Sequence, residues 1–286
     1  LVVPTCEEVL YLGQIWRDRE MPARLFAPDF DLLDEVHNKH RFILLCGKLG
    51  LPVPRTQFLT TPDEVQALMP GATDLVLKPV WSRFATQIAI RPGPQRLARI
   101  RPSPAFPWVA QEFIAGEELS VYAIAYAGRV TAISCYRGLI RAGLGASVCF
   151  EPVRVAAAED FVRRFVEGTG WTGQISFDLI RRPDGSVLPL ECNPRATSGL
   201  QFFRDAGAFS RALLGQGQAK PDVTQPQGVR LALWLYGGGQ VLKPGGWRRF
   251  RRALAEVEDV MHWPGDRVGV ASQLRNVPLI ELLDDL

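Results

Sequence analysis

The chain has 286 residues, of which 33 are Lys or Arg and 30 are Asp or Glu, so its net charge of +3 is too small to favour a nucleic-acid partner. Hydrophobic residues make up 47% and charged residues 22%, the ordinary balance of a globular protein with one large domain or two to three small ones. We expect no membrane segment, because no apolar run is long enough to cross a bilayer and no signal peptide is visible. The scattered cysteines form no C-x-x-C pair, which favours reduced thiols and a cytoplasmic protein.

The first fifty residues predict one short strand followed by helices. Residues 1–3 favour a strand, and residues 7–12 favour a helix in which Thr5 is the N-cap and Glu8 stands three residues later. Residues 29–50 carry apolar side chains at helical spacing, which predicts a pair of connecting helices. Lys39 lies within this pair, and taken alone it is more typical of a solvated helical lysine than of a ligand-binding one.

Residues 51–107 predict a small unit with a lysine in an unusual place. A short helix is expected at residues 62–68, behind the cap candidate Thr61. Lys78 closes the apolar strand at residues 75–79, where a lysine is costly unless it serves a ligand. A return strand is expected at residues 87–91. The following sixteen residues contain five prolines, which predicts a loop with at most a short helix.

Residues 108–153 predict strands joined by one glycine-rich loop. An extended stretch at residues 108–121 leads into a hairpin whose turn is residues 127–129. The loop that follows contains Arg137 and Arg141. Guanidinium groups bind carboxylates in bidentate fashion, so these two arginines are candidates for an acceptor carboxylate, although solvated loop arginines fit the sequence equally well.

The most informative stretch runs from residue 173 to residue 198 and predicts a β-hairpin around Pro183-Asp184-Gly185. If Arg182 and Gly185 close a four-residue turn, Asp178 faces Pro189 and lies diagonal to Glu191, roughly 7–8 Å away at the backbone. Asn193 then shares their side of the ribbon. The other side would carry the apolar set Ile175, Phe177, Leu179, Leu188, Leu190 and Cys192.

Asp178, Glu191 and Asn193 are hard oxygen ligands of the kind that Mg²⁺ prefers alongside phosphate oxygens. Arg195 follows two residues later, in a position to hold a phosphate. The hairpin therefore predicts a magnesium site, and the alternative is an ordinary hairpin whose acidic residues are merely solvated.

The segment SFDLI…LECNPRATSG resembles the metal-binding hairpin of the ATP-grasp superfamily. The stretch QEFIAGEELS, from residue 111 to residue 120, resembles the hinge of that superfamily, and the likeness extends over residues 31–210. It implies an α+β fold in which two lobes sandwich ATP. It also implies an ADP-forming ligase that activates a carboxylate as an acyl phosphate for attack by an amine or another nucleophile.

The resemblance also implies roles for individual residues. Lys39 and Lys78 would contact ATP phosphates, and Glu118 would bind the ribose. Glu112, Phe113 and Ile114 would read the adenine edge. Asp178 and Glu191 would bridge two Mg²⁺ ions, with Mn²⁺ an acceptable substitute, and Asn193 would bind the second ion. Arg195, Lys78 and Arg141 would act on the transferring phosphate and the acceptor.

One departure from the family pattern lies at residues 80–86, where a glycine-rich phosphate flap is normal and this chain has no glycine. Ser82, Arg83 and Thr86 could replace the backbone donors of such a flap. Equally, the flap could be stiffer and the protein poorly active.

The expected organisation has four parts. Residues 1–30 would be the tail of a preceding α/β domain, truncated here, with a short native N-terminus as the alternative. Residues 31–110 would form the N-terminal lobe with the connecting helices, residues 111–217 the C-terminal lobe, and residues 218–286 an extension packed on the core.

Other functions stay open from the sequence. The activated acid could be bicarbonate, as in carboxylases and carbamoyl-phosphate-type enzymes, or the chain could be a nucleotide-binding subunit with little activity. The partners expected are small-molecule carboxylate and amine substrates, and a homodimer is compatible with the resemblance. The arginines at positions 248, 249, 251 and 252 precede acidic residues in one helix, which favours a solvated face over a nucleic-acid site.

Overall fold

Two sheets, one small and one large, organise the computed structural model, which describes residues 1–81, 87–141, 147–236, 241 and 245–261. The small sheet has strand order β1-β4-β2-β3 and is antiparallel throughout. Its strands are β1 (Thr56–Leu59), β2 (Leu75–Pro79), β3 (Ala89–Ile90) and β4 (Trp108–Glu112).

The large sheet has strand order β11-β10-β7-β6-β5-β8-β9 and is antiparallel except for the pair β10–β11. Its strands are β5 (Glu117–Tyr126), β6 (Arg129–Arg141), β7 (Ser147–Val153), β8 (Gly173–Arg181), β9 (Val187–Asn193), β10 (Gln227–Gly228) and β11 (Glu258–Asp259). The chain passes from the small sheet to the large one between Glu112 and Glu117, close to the boundary expected after residue 110.

The described helices are α1 (Glu8–Asp18), α2 (Phe30–His37), α3 (Lys39–Lys48), α4 (Pro62–Ala67), α5 (Pro94–Leu97), α6 (Ala156–Thr169), α7 (Ala206–Leu213), α8 (Arg230–Tyr236) and α9 (Gly246–Glu256). Two 3₁₀ turns cover Met69–Asp74 and Ser198–Phe202. Helices and strands are both abundant, which confirms the expected α+β class. Within the described part of the chain, no helix has the length and apolar character needed to span a bilayer.

Local sequence signals explain where several helices begin. Asn38 caps α3, because its side chain accepts hydrogen bonds from the backbone N–H groups of His40 and Arg41. Thr61 and Glu64 form a complete capping box at α4, as the cap position of Thr61 predicts. The N-terminal strand prediction was only partly right, because Val2 makes a single isolated bridge with Leu25.

The main core lies between one face of the large sheet and the helices α3 and α6. Phe42 of α3, Phe165 of α6 and Phe177 of β8 meet there, and the ring centroids of Phe165 and Phe177 are 5.0 Å apart. All three rings are fully buried. The opposite face of the sheet packs Tyr122 and Tyr136 against Phe202, so this sheet is held from both sides.

The β8–β9 hairpin differs in register from the sequence prediction. Gly185 has φ +86° and its N–H bonds to the Arg182 carbonyl, but the next pair joins Arg182 to Ser186, which leaves a three-residue loop. Leu179 therefore pairs with Pro189. A second shift follows, because Leu190 is an extra residue in β9 and Asp178 pairs directly with Glu191.

This bulge changes which side chains share a face. Side chains alternate along a strand, so one extra residue reverses the parity of everything beyond it. Val187 and Cys192 both enter the main core, although their numbers differ by an odd count. The expectation that Leu188 and Leu190 lie on the core face was wrong: Leu188 pairs with Ile180 on the other face, and Leu190 is the bulged residue.

Gly116 offers a test of how closely the segment that enters the large sheet packs against β8. A Cβ atom added at Gly116 would lie 2.4 Å from the Arg181 carbonyl oxygen and 2.5 Å from Ile180 Cγ2, so backbone has to move. We expect Gly116→Ala to lower the free energy of unfolding by about 1–3 kcal/mol. Urea denaturation measures this, with Gly71→Ala as the control because nothing lies within 4 Å of its added Cβ. Equal stability of the two variants would contradict the close approach.

Candidate functional site

The site begins with two carboxylates on one face of the β8–β9 hairpin. Asp178 and Glu191 are direct cross-strand partners, closer than the diagonal arrangement expected from the sequence. Ser120 of β5 donates its hydroxyl to Asp178 Oδ1 at 2.7 Å, and Asn193 Nδ2 lies 3.4 Å from Asp178 Oδ2. The three sequence-predicted ligands are therefore together, and Ser120 fixes the first of them.

Two lysines from outside the large sheet reach the same place. Lys39, the first residue of α3, places its Nζ 3.3 Å from Glu191 Oε2 and is only 6% exposed. Lys78, on β2 of the small sheet, is 4% exposed. The Lys39 backbone N–H also donates to the carbonyl of Val80, just beyond β2, so the start of α3 and the end of β2 lie side by side. The structure rules out the alternative of a solvated Lys39.

The bulge at Leu190 has a direct role in this arrangement. Lys78 Nζ donates to the Leu190 carbonyl at 2.9 Å and to Gln111 Oε1 at 3.2 Å. Gln111 in turn donates through Nε2 to Thr56 Oγ1. The ammonium group thus bridges the small sheet and the β8–β9 hairpin, through the carbonyl of the bulged residue.

Arg195 lies beside the amide of the hairpin, but its contacts are loose. Its Nη2 is 3.4 Å from Asn193 Oδ1, its Nη1 donates to the Ala196 carbonyl at 3.1 Å, and its Nε is 3.6 Å from Glu7 Oε1. The guanidinium side chain is 24% exposed. An arginine held this way at the edge of a cleft can still bind a phosphate.

Burial and like charge set the protonation of the carboxylate pair. Burial, together with the adjacent Glu191 charge, raises the pKa of Asp178 to about 7. For Glu191 the charges of Lys39 and Lys78 outweigh burial and lower its pKa. Burial also lowers the pKa of Lys78 to about 8, helped by the Lys39 charge and opposed by Glu191.

The donor set suits a magnesium ion that is shared with phosphates. It contains two carboxylates and one amide, and the described residues include no cluster of three or more His, Cys, Asp and Glu side chains that would bind a metal alone. Mg²⁺ is characteristically held by one or two carboxylates plus phosphate oxygens. A carboxyl whose pKa is raised by its neighbour is also one that a cation would return to the charged form.

Two of the three residues expected to bind adenine at the hinge already use their backbone N–H groups within the protein. The backbone N–H groups of Glu112 and Phe113 already donate to the carbonyls of Arg55 and Asp74. Ile114 is buried, and it is the first residue of the three whose amide can be considered for an adenine edge. Glu118 is exposed, and because it pairs with Ile180 it lies on the same sheet face as Ser120 and Asp178.

Arg137 is not at this site. It follows Tyr136, which pairs with Ser120, so alternation puts Arg137 on the opposite face of the sheet. Its guanidinium is held there by Glu117 at 2.6 Å and by Glu151 at 2.8 Å. The hypothesis that it binds an acceptor carboxylate is therefore wrong. The remaining flap and loop candidates, Ser82, Arg83, Thr86 and the side chain of Arg141, lie outside the described residues.

The sequence reasoning missed a set of hydroxyl and amide groups around the carboxylates. Ser176 and Tyr136 both hydrogen-bond Thr197 Oγ1, at 2.9 and 2.8 Å. Gln111 and Ser120 position Lys78 and Asp178. One signal was available: Gln111, Ser120 and Ser176 are polar residues within otherwise apolar strands, where a buried polar group needs a partner.

The raised pKa of Asp178 predicts a pH-dependent stability. Between its ordinary value of 3.8 and about 7 the folded state holds the proton more tightly than the unfolded state, so stability falls as pH rises through that window. Asp178→Asn removes the charge, and in EDTA we expect it to be more stable than the wild type at pH 8 by about 1–2 kcal/mol, after allowing for partial exposure.

Urea denaturation at pH 5 and pH 8 measures this difference, which should shrink at pH 5. Asp160→Asn is the control, because that carboxylate is 67% exposed and lies 4.0 Å from its nearest arginine nitrogen. A stability gain that is the same at both pH values would show that the charge at Asp178 is not the cause.

Comparison with solved structures identifies the fold. Phosphoribosylamine–glycine ligase from Thermotoga maritima superposes with a TM-score of 0.58 and 17% identity, covering 71% of this chain and 60% of that one. L-amino acid ligase from Bacillus licheniformis gives 0.54 and 15%, covering 72% and 54%. The biotin carboxylase domain of 2-oxoglutarate carboxylase from Hydrogenobacter thermophilus, in a complex with MgADP and bicarbonate, gives 0.59 and 12%, covering 77% and 55%.

The present chain thus spans 54–60% of the length of these proteins, and at such identities the likeness extends to the fold. The ATP-grasp domain family matches residues 36–199, which is more than half of the chain and includes α3, the small sheet and the β8–β9 hairpin. The protein is a member of the ATP-grasp family.

Proposed function

We propose that the protein is an ATP- and Mg²⁺-dependent ligase that activates a carboxylate as an acyl phosphate, releases ADP, and passes the acyl group to an amine or another nucleophile. The observation that carries the proposal is the convergence of Asp178, Glu191 and Asn193 with the ammonium groups of Lys39 and Lys78. A cleft with two acids and two buried lysines is suited to a polyphosphate and its cations.

The two lysines would hold the phosphate chain. Lys39 is the first residue of a ten-residue helix whose first N–H groups are engaged by Val80 and Asn38, so the ammonium group of Lys39 would make the contact with the phosphates. Lys78 is pointed into the cleft by Gln111 and the Leu190 carbonyl. Both positions are set by the fold before a ligand arrives, so little rearrangement is required on binding.

The nucleoside would lie at the hinge. Ile180 and Leu188 form a cross-strand apolar pair on the sheet face that also carries Glu118. A base can pack on this pair while Glu118 accepts hydrogen bonds from the ribose hydroxyls. The adenine edge would be read from the backbone at Ile114, because the preceding two amides are engaged within the protein.

In the reaction, an oxygen of the acceptor carboxylate attacks the γ-phosphorus, the bond to the β-phosphate oxygen breaks, and ADP leaves. The nucleophile then displaces phosphate from the acyl carbon. Bound Mg²⁺ would neutralise charge on the transferring phosphoryl group. Asp178, Glu191 and Asn193 would hold the metal, Lys39 and Lys78 would offset charge on the phosphates, and Arg195 would contact the transferring group, so the protein contributes mainly by positioning and electrostatics.

A bicarbonate-activating carboxylase is the second candidate, because one structural neighbour is a biotin carboxylase domain with MgADP and bicarbonate bound. A third is a nucleotide-binding subunit that lacks turnover, which the glycine-free segment at residues 80–86 favours. Every residue assigned here belongs to one chain, so the proposed chemistry does not require a homodimer.

The reaction class is tested by ADP release. Full-length protein with Mg-ATP is incubated with pooled amino acids, pooled small carboxylic acids or bicarbonate, each with and without amine donors. We expect ADP and phosphate only when an acid is present. Tight Mg-ATP binding with no ADP release in any pool would instead support the nucleotide-binding subunit, and release with bicarbonate alone would support the carboxylase.

The metal ligands are tested by Asp178→Asn and Glu191→Gln. We expect either change to reduce ADP release by at least about 100-fold while the circular dichroism spectrum is retained, because each removes a charge that the metal requires. Glu118→Gln is the matched control, since it removes a carboxylate from the same sheet face without touching the metal, and it should mainly raise the KM for ATP. Turnover like that of the wild type in Asp178→Asn would remove Asp178 from the metal site.

Arg195 and Arg137 form a second matched pair. We expect Arg195→Met to reduce turnover by about 100-fold at unchanged stability, because its guanidinium is placed at the cleft. Arg137→Met should lower stability and leave the KM for ATP unchanged, because its partners Glu117 and Glu151 lie on the far face. Turnover and urea denaturation of both variants measure this, and equal losses of turnover would contradict the assignment of faces.

A further inference from the structure

We propose that a cavity at the open end of β6, away from the ATP-grasp cleft, is a second binding site for a small organic anion that carries a carboxylate or phosphate group. The cavity has a volume of about 380 Å³, within the range of small-molecule sites. It lies against residues 130–135, the N-terminal half of β6, whereas Ser120, which holds Asp178, pairs with Tyr136 farther along the same strand.

The topology of the sheet creates this opening. β7 pairs with β6 only as far as Cys135, where Val153 ends the strand. Beyond that point the segment at residues 218–224 takes the place of β7, but it touches β6 through one parallel bridge, between Ala132 and Ala219. The sheet edge is therefore covered by two segments that diverge from each other, and the space between them is the cavity.

The wall of the cavity combines apolar and polar residues, and several of them are almost fully buried. Ala132, Ser134 and Cys135 of β6 are 2%, 3% and 5% exposed, and Ala219 and Val223 on the opposite wall are each 6% exposed. Ser134 donates its hydroxyl to the Gly199 carbonyl at 2.8 Å, which fixes the floor. Such a floor can pack against the carbon skeleton of a small ligand.

The charged side chains at the rim of the cavity favour an anionic ligand. Three cationic side chains line it, Arg154, Arg163 and Lys220, against a single carboxylate, Glu159. Glu159 lies 3.7 Å from Arg163 on the next turn of α6, so its charge is offset within the helix. Arg154 and Lys220, on opposite sides of the opening, are both exposed and leave two positive charges for the ligand. Carboxylates and phosphates are the oxyanions that such side chains bind.

The floor also touches the segment that carries the proposed phosphate-binding arginine. Ser134 holds Gly199, and Tyr136, two residues along β6, holds Thr197, so both ends of residues 197–199 are attached to this strand. Arg195 lies two residues before Thr197. A ligand in the cavity would therefore press on the strand that anchors this segment. The binding site itself is inferred from the cavity and its charges, and it does not depend on the proposed ligase activity.

Isothermal titration of the full-length protein at low salt tests the proposal, with ribose 5-phosphate as the phosphate probe and L-glutamate as the carboxylate probe. We expect saturable binding of at least one probe with one site per chain. The probe that binds more tightly shows whether the site prefers a phosphate or a carboxylate. The double variant Arg154→Ser/Lys220→Ser should weaken that binding by about tenfold or more, because it removes two charge-assisted contacts.

Three further variants test whether the cavity itself holds the anion. Lys48→Ser/Arg96→Ser makes the same change of charge on exposed residues elsewhere and should leave binding within about twofold. Arg195→Met should retain binding, since it removes a cationic side chain from the proposed nucleotide site and not from the cavity. Ala219→Leu should abolish binding by filling the cavity without altering charge, and circular dichroism confirms that it is folded.

Failure of both probes to saturate up to about 10 mM would overturn the proposal. Equal weakening in the Arg154/Lys220 and Lys48/Arg96 variants would also overturn it, because the effect would then be general electrostatics. Loss of binding in Arg195→Met with retention in the Arg154/Lys220 variant would place the anion in the nucleotide cleft. None of these results depends on whether ADP is released.

Discussion

The structure depends on a balance of four buried or half-buried charges at the meeting point of two lobes. Asp178 and Glu191 lie side by side on one ribbon, which is costly because like charges repel more strongly away from water. Lys39 and Lys78 offset this cost from two other elements. Burying either the carboxylate pair or the lysines alone would cost free energy. The cluster therefore keeps α3, the small sheet and the β8–β9 hairpin in one arrangement.

This balance leaves the cluster incompletely neutralised, which is what a ligand site requires. The pKa of Asp178 rises to about 7 and that of Lys78 falls to about 8, so each group sits near the pH at which its charge changes. A cation beside the acids and a polyphosphate beside the lysines would relieve both effects together. The groups that would bind the ligand therefore lower the stability of the free protein, because burying their charges costs free energy.

Much of the fold and of the site could be predicted from the sequence, for physical reasons that apply to particular residues. The helix pair, the capping box at Thr61 and the hairpin around Gly185 each follow from local periodicity or turn chemistry. Lys78 was found because a lysine in an apolar strand requires a partner. The resemblance then placed Lys39, which the local sequence alone left as a surface residue and which the structure buries.

Two of the errors share one cause, which is the alternation of side chains along a strand. The bulge at Leu190 leaves no local signal in the sequence, yet it changes the face of each residue after it. Arg137 was a candidate for the acceptor carboxylate because it lies in a glycine-rich stretch, but it belongs to a long strand, and alternation places its side chain on the opposite face. Tertiary hydrogen bonds at the hinge, such as that from Phe113 to Asp74, join residues 39 positions apart and have no signature in either segment.

The bulge has one more consequence, for how the hairpin tolerates change. The three-residue loop sets the strand register at the tip of the hairpin. The extra residue Leu190 sets the register at Asp178 and Glu191, so the two ends of the hairpin are aligned by different features. A family member can lengthen or reshape the tip and absorb the slip at a point where the ladder is already interrupted. The end that carries Asp178 and Glu191 is thereby insulated from changes at the exposed tip.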